Sequence, residues 1–309
     1  AAEDYFKADV TALSANTEYE YKIGVKDSTD EENEWSKSYF FSTAKGDEKE
    51  FTFIAVGDTQ GITWGGTETA NKGFMYSKTA FDQAFKEVED PAFILHTGDV
   101  VENGTNVDQW NYYFKALGEA GATVPHFAAI GNHDQELFSS NQNLYFGLHF
   151  NHPDNGGNDY LDSTVVGAIN GLTNNDAAWS QMLIKQMNET FYSYNYGDAH
   201  FIVYNSGNYS GNDELVMKAQ RAWLKADLEA NKDAKWTIVM AHQANYHRFE
   251  GPYHRSTLAD ILEGFDVDLV IQGHSHLVTR TYPIKNGEAV STDNLDKITK
   301  GEGTVYMLV

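Results

Sequence analysis

Cysteine is missing from this chain of 309 residues. Disulfide scaffolds, thiolate zinc sites and cysteine nucleophiles are therefore excluded. There is no run of about 18 apolar residues, so no transmembrane span is expected. Basic residues are scarce: 22 Lys and Arg stand against 45 Asp and Glu, a formal net charge of −23. A nucleic-acid binder needs a basic stripe, so no nucleic-acid partner is expected. Small phosphorylated substrates stay open if a metal supplies local positive charge. The acidity itself reads as a solvated surface. The opening AAEDYFKADV does not read as a signal peptide. What is present is a 41% hydrophobic composition, enough for a sizeable core in one large domain plus a small one.

Residues 1–45 read as a small β domain and 46–309 as the main domain, with 45–50 as the linker. The alternation over 18–23 suits a half-buried strand, 26–33 is a polar turn, and 38–43 is a second strand. Leu13, Thr17 and Tyr19 together resemble the tyrosine-corner approach of a fibronectin type III sandwich. Such a sandwich needs ~100 residues, so only part of one is expected. An unrelated β-hairpin packed on the next domain is the other reading. From residue 51 apolar strands alternate with helical stretches, which predicts an α/β fold. The expected strands are 51–56, 92–96, 126–130, 201–204, 236–240 and 269–271. Helical spacing appears in Phe81, Ala84, Phe85 and Val88, in Trp110, Phe114 and Leu117, and in Leu215, Ala222, Trp223 and Leu228. Residues 139–190, rich in Asn, Gly, Asp and Ser, read as an insertion forming one wall of a substrate site. The chain ends within an apparent strand, 304–309, so native sequence is expected to continue at both ends.

Five strands end in side chains of metal-ligand type. Gly57-Asp58-Thr59-Gln60 follows the first, Gly98-Asp99 the second and Gly131-Asn132-His133-Asp134 the third. Ala241-His242-Gln243 and Gly273-His274-Ser275-His276 follow the last two. One Gly-Asp after a strand is ordinary turn chemistry, and a lone His is commonly a hydrogen-bonded structural residue. The set carries the signal, because ligands of open α/β sheets gather at the carboxyl ends of the strands. Asp, Asn and His donors suit divalent iron, manganese or zinc. Asp58, Asp99, Asn132, His242, His274 and His276 exceed what one metal needs with positions left open. Two metals sharing one carboxylate would use them all.

From residue 51 to its end, the chain resembles the calcineurin-like metallophosphoesterase superfamily, and most of all its purple acid phosphatase branch. Asp58-x-Gln60 stands where that superfamily has Asp-x-His, and Gly-Asn-His-Asp and Gly-His-Ser-His are the most specific matches. Phe191-Tyr192-Ser193-Tyr194 and His200-Phe201-Ile202-Val203 also look like that branch. The resemblance implies a four-layer αββα sandwich with two divalent ions, Fe, Mn or Zn. It implies Asp58, Asp99 and His276 on the first ion, a bridging Asp99, and Asn132, His242 and His274 on the second. It implies that His133 faces the substrate phosphate. Asp134 would orient His133, or else act as a helix N-cap or turn residue. A hydroxide held by the metals would attack phosphorus in line, with His133 stabilising charge and donating to the leaving oxygen. His247, Arg248, His254 and Arg255 concentrate cations in an acidic chain and suit a loop contacting substrate phosphate. A surface loop with ordinary cations is the alternative. His96, His149, His152 and His200 are assigned to structure.

The pattern departs from the family at two positions. The purple branch has Gly two residues after the first Asp and a Tyr ligand three residues after the bridging Asp; here these are Gln60 and Glu102. No tyrosinate–iron colour is therefore expected. Gln60 has three open roles: direct ligand, holder of a metal-bound water, or a side chain pointing away. Glu102 is a second candidate for the vacancy. The expected activity is hydrolysis of small phosphate esters, monoester or diester. A phosphodiesterase or nucleotidase acting on small extracellular phosphates is a second reading, and a non-catalytic cell-surface metal-binding or adhesion module a third. A secreted or wall-attached bacterial location is expected, and the sequence sets no oligomeric state. Asn103, Asn188 and Asn208 begin glycosylation triplets, which matter only in a eukaryotic secretory route.

Overall fold

The structure is a computed structural model. It describes residues 5–25, 34–61, 67–135, 144–156, 163–172, 175–177, 180–181, 184, 189–206, 213–246, 258–290 and 297–309. Four short strands come first: β1 (Glu18–Tyr21), β2 (Gly24–Val25), β3 (Glu34–Trp35) and β4 (Tyr39–Ser42). β1 pairs antiparallel with β4, and β2 with β3. Tyr19 stacks on Phe41 and Tyr21 on Tyr39 across the pair, the cross-strand aromatic contact that holds a short ladder. The Tyr21 hydroxyl donates to Ala122 O at 2.7 Å and so ties this piece to the rest of the chain.

The main body has two sheets. β5 (Ile54–Val56), β6 (Ile94–His96) and β7 (His126–Ala128) form a parallel sheet of three strands. The second sheet has six strands in the order β12-β15-β11-β10-β9-β8. They are β8 (Tyr192–Tyr196), β9 (Ala199–Val203), β10 (Trp236–Met240), β11 (Leu269–Gln272), β12 (Thr279–Arg280) and β15 (Val305–Leu308). The four central strands are parallel, and β8 and β12 close the edges antiparallel. A hairpin of β13 (Ile284–Lys285) and β14 (Glu288–Ala289) precedes β15.

Alternation along the strands builds four layers. Successive side chains point to opposite faces. Phe93, Leu95, Phe201, Val203, Met240 and Ile271 therefore meet between the sheets, joined by Phe51, Phe53, Phe127 and Tyr194. Their intervening neighbours face outward. Ile94 and Ala128 pack with Phe81, Trp110 and Tyr113 of the helices Thr67–Glu87 and Val107–Leu117. Ile202, Val239 and Val270 pack with Trp223, Leu224 and Leu262 of the helices Asp213–Ala230 and Ala259–Gly264. The result is the expected αββα sandwich. Its inner layer is aromatic: Phe93 lies 5.1 Å from Phe201 and 5.5 Å from Phe53, ring centre to ring centre. Each such pair adds about 0.5–1.5 kcal/mol beyond simple burial.

The residues 139–190 do lie between β7 and β8, and their described part carries the helices Leu144–His149 and Ser163–Leu172. The first strand is shorter than expected, because only Ile54–Val56 is laddered, though Phe51 and Phe53 still feed the inner layer. Among the described residues, no helix is long and apolar enough to cross a membrane.

Candidate metal centre

Within each sheet the parallel strands run in register, so their carboxyl ends line up, and the two sheets meet along that edge. The turns there are sharp. Asp58, Asp99, His274 and His276 all hold positive φ, at 51°, 52°, 69° and 51°. A non-glycine residue in that region costs free energy and clusters at functional sites. Gly98 precedes Asp99 at φ 99°, and Gly131 sits where a Cβ would collide with Asp99 Oδ1 and its backbone N. Glycine is required there so that the loops after β6 and β7 can touch.

Asp99 lies at the centre and is buried. Its Oδ1 accepts from the His133 backbone N–H at 2.9 Å. Its Oδ2 lies 3.1 Å from His242 Nε2 and 3.4 Å from the Gln60 amide. Burial alone would raise this carboxyl, but His242 and His133 hold it below the ordinary range. On one side stand Asp58 and His276, with His276 Nε2 3.4 Å from Asp58 Oδ1. Both Asp58 oxygens accept from the His274 backbone N–H, at 3.0 and 2.9 Å. Burial, helped by Asp99, pushes Asp58 up to about 6. On the other side, His242 Nε2 lies 3.1 Å from Asn132 Oδ1 and 3.3 Å from His274 Nδ1. The ligand atoms of Asp99, His242 and His274 lie within 4.8 Å of one another.

The tautomers follow from the partners. His242 Nδ1 lies 2.9 Å from Thr97 O, a pure acceptor, so Nδ1 carries a proton and Nε2 faces the cluster. Burial pulls this imidazole down, yet the carboxylates of Asp99, Asp58 and Asp134 outweigh it and raise it to about 9. The residues thus favour positive charge at a point ringed by lone pairs of Asp99, Asn132 and His274. That donor chemistry fits a divalent cation. His133 is arranged differently. Its Nδ1 donates to Glu102 O at 3.0 Å, and its Nε2 lies 4.0 Å from Asp99 Oδ2 on a side chain one-third exposed. It borders the centre rather than joining it.

Asp134 is corrected by the geometry. It does not orient His133, whose Nδ1 is taken by the Glu102 carbonyl. Its buried carboxylate accepts from Gly131 N at 2.8 Å and Val101 N at 3.0 Å, clamping the loops after β6 and β7 together. Burial, then Asp99, pushes its carboxyl up to about 7. The turn reading of Asp134 is the one that describes it. Glu102 is placed beside His133, its Oε2 3.6 Å from Nδ1. His96, assigned to structure, sits directly beneath the centre. Its Nδ1 accepts from Gly98 N at 3.1 Å and its Nε2 donates to Thr59 Oγ1 at 2.8 Å, joining the loops that carry Asp58 and Asp99. The only hint in the sequence was its place two residues before Gly98. The carbonyls of Thr97 and Glu102 left no hint, since a backbone oxygen carries no residue identity. His247, Arg248, His254 and Arg255 lie outside the described residues.

Comparison with known proteins agrees with this fold. The family model described as calcineurin-like phosphoesterase matches residues 51–278. A probable inactive purple acid phosphatase of Arabidopsis thaliana is 25% identical over 312 residues, covering 96% of this chain and 47% of that protein. A nucleotide pyrophosphatase/phosphodiesterase of Hordeum vulgare is 21% identical over 290 residues, covering 89% of this chain and 72% of its own length. The solved structure of a purple acid phosphatase from yellow lupin (Lupinus luteus) seeds shares the fold, with a TM-score of 0.63 at 19% identity, over 96% of this chain and 50% of that one. The chain thus spans about half the length of the Arabidopsis and lupin proteins it matches.

Proposed function

The chain belongs to the calcineurin-like phosphoesterase family, and from that premise we propose that it hydrolyses small phosphate esters at a pair of divalent cations. The observation that carries this reading is the convergence of Asp58, Asp99, Asn132, His242, His274 and His276 around the central Asp99, with His133 at their border. Asp58, Asp99 and His276 would hold one ion, and Asn132, His242, His274 and the shared Asp99 the other. When bound, such ions acidify a water and neutralise a phosphoryl group. The ligands contribute a formal −2, from Asp58 and Asp99, so two divalent ions leave +2 in a chain of −23. That local reversal of sign draws a phosphate into an acidic surface.

The chain's own residues do the rest. Thr97 O fixes the His242 ring with Nε2 inward. Asp134 and the glycines hold the loops so that Asp99 reaches both sides. His133 Nδ1–H donates a hydrogen bond to Glu102 O, so Nε2 is the atom that exchanges a proton with the substrate; protonated there, it donates to the leaving alcohol oxygen. A small extracellular phosphate as substrate, and a secreted or surface location, extend the same reading. The Tyr19 hydroxyl, accepting from Ser14 N at 2.7 Å, supports a fibronectin type III-like origin for the first strands.

Three relatives from Arabidopsis thaliana are named probable inactive purple acid phosphatases, which supports a second reading in which the centre binds ions without turnover. The placement of His133 favours turnover, since a structural centre has no use for an imidazole outside its ligand set. The deciding experiment is an assay of a chromogenic phosphate monoester and a diester with added manganese, zinc or iron. Hydrolysis of either supports the proposal, and the ratio separates phosphatase from phosphodiesterase. Bound metal with no hydrolysis of either contradicts it and leaves the non-catalytic reading.

A further inference from the structure

The side chain of Gln60 carries an inference of its own, resting on the dinuclear reading above. Its carboxamide is a fork with two ends in different surroundings. One end faces two backbone carbonyl oxygens, Asp99 O at 2.8 Å and Asp58 O at 3.1 Å. The other end faces Asp99 Oδ2 at 3.4 Å and His276 Nε2 at 3.5 Å. Carbonyl oxygens only accept, so the end beside them must be the NH2 group, which donates to both. The opposite assignment sets oxygen against oxygen at 2.8 Å and keeps only two long contacts.

The amide oxygen then points at Asp99 Oδ2 and His276 Nε2, with Asp58 Oδ1 3.4 Å from that same nitrogen. Three oxygens and an imidazole nitrogen face one another. The three oxygens are acceptors whatever the His276 tautomer, and with Nε2 unprotonated the four atoms suit a cation between them. We infer that Gln60 Oε1 is a ligand of the first metal ion, locked toward it by the Asp58 and Asp99 carbonyls. Of its three open roles, direct ligation is the one the geometry selects.

The consequence is an unequal pair of sites. The second site combines the imidazoles of His242 and His274 with the oxygens of Asn132 and Asp99. The first combines one imidazole with three oxygens, one of them a neutral amide. Imidazole suits zinc and iron, whereas carboxylate and carbonyl oxygens suit manganese and magnesium. The first site is therefore the harder of the two and the weaker for zinc, and it selects manganese over zinc more than the second does.

The test is calorimetric titration of the metal-stripped protein with Mn2+ and separately with Zn2+, following heat rather than turnover. The native chain is expected to show a tight and a weak class of sites. Gln60→Leu removes one Mn2+ class or weakens it at least tenfold and leaves the other unchanged. Gln60→His tightens Zn2+ at the weak class at least tenfold, and it decides the matter alone if the leucine variant does not fold by circular dichroism. Both classes unchanged in the variants overturns the inference about Gln60. No binding of either ion by the native chain overturns the dinuclear reading beneath it.

Discussion

The two sheets contribute opposite chemistry to one centre. The three-stranded sheet carries the proposed oxygen donors: Asp58 and Gln60 after β5, Asp99 after β6, and Asn132 after β7. The six-stranded sheet carries the proposed imidazole ligands: His242 after β10, and His274 and His276 after β11. On the proposed reading neither sheet could hold two metal ions alone. The centre exists only when the aromatic layer between Phe53, Phe93 and Phe201 brings the two edges together. Hydrophobic packing thus sets the distances, and bound cations in turn would staple sheet to sheet.

The sharpest break separates the ligands from the residue that borders them. His133→Ala is expected to lower kcat by ~10²–10⁴-fold, the usual worth of a general acid or base, with metal content unchanged. Unchanged kcat at full metal occupancy would remove His133 from the reaction. The next break attacks the layer that joins the sheets. Phe93 is buried and touches Phe53, Phe127, Tyr194 and Phe201. Phe93→Ala should cost about 3–5 kcal/mol in denaturant unfolding and weaken metal binding with it. Loss of stability with metal affinity intact would show that the edges find each other without that layer.

A third test asks how much the ions return. Chelation of the metal-loaded protein should remove about 2.7 kcal/mol per site if the free ion stood at a hundredfold its dissociation constant. Calorimetry of loaded and stripped protein measures this, and equal melting temperatures would refute the staple. The smallest effect concerns pH. His126 is half-buried beside the Tyr113 hydroxyl, and its desolvation holds it down to about 3 against an ordinary 6.5. The unfolded chain takes up its proton near 6.5, while the folded chain does not until about 3. Stability is therefore complete above 6.5 and lost as pH falls below it. Between pH 7 and 5 this amounts to about 2 kcal/mol. His126→Phe should show a correspondingly shallower loss of melting temperature across that interval; an equal slope would mean that this histidine is protonated in the folded state.

Much of this contrast was legible in the sequence. Apolar runs marked the strands, and Gly-Asp, Gly-Asn-His-Asp and Gly-His-Ser-His at their ends pointed to the candidate ligands. What stayed hidden was which atoms hold the ligands in place. Thr97 O orients His242 and Glu102 O orients His133, and no side-chain pattern encodes a carbonyl. Asp134 looked like a partner for His133 because it is adjacent in sequence, yet a turn sends its carboxylate to the amides of Gly131 and Val101. Gln60 was ambiguous for a similar reason. The two ends of an amide are told apart only by their neighbours, and those neighbours come from loops 39 and 216 residues away in sequence.

The central claim is that oxygen donors from one sheet and imidazoles from the other share two ions through Asp99. Its most direct test is the metal content of manganese-loaded protein combined with its electron paramagnetic resonance spectrum. The account predicts two Mn2+ per chain with an exchange-coupled spectrum, since one carboxylate bridges both ions. A single ion per chain, or two ions with independent signals, would contradict it.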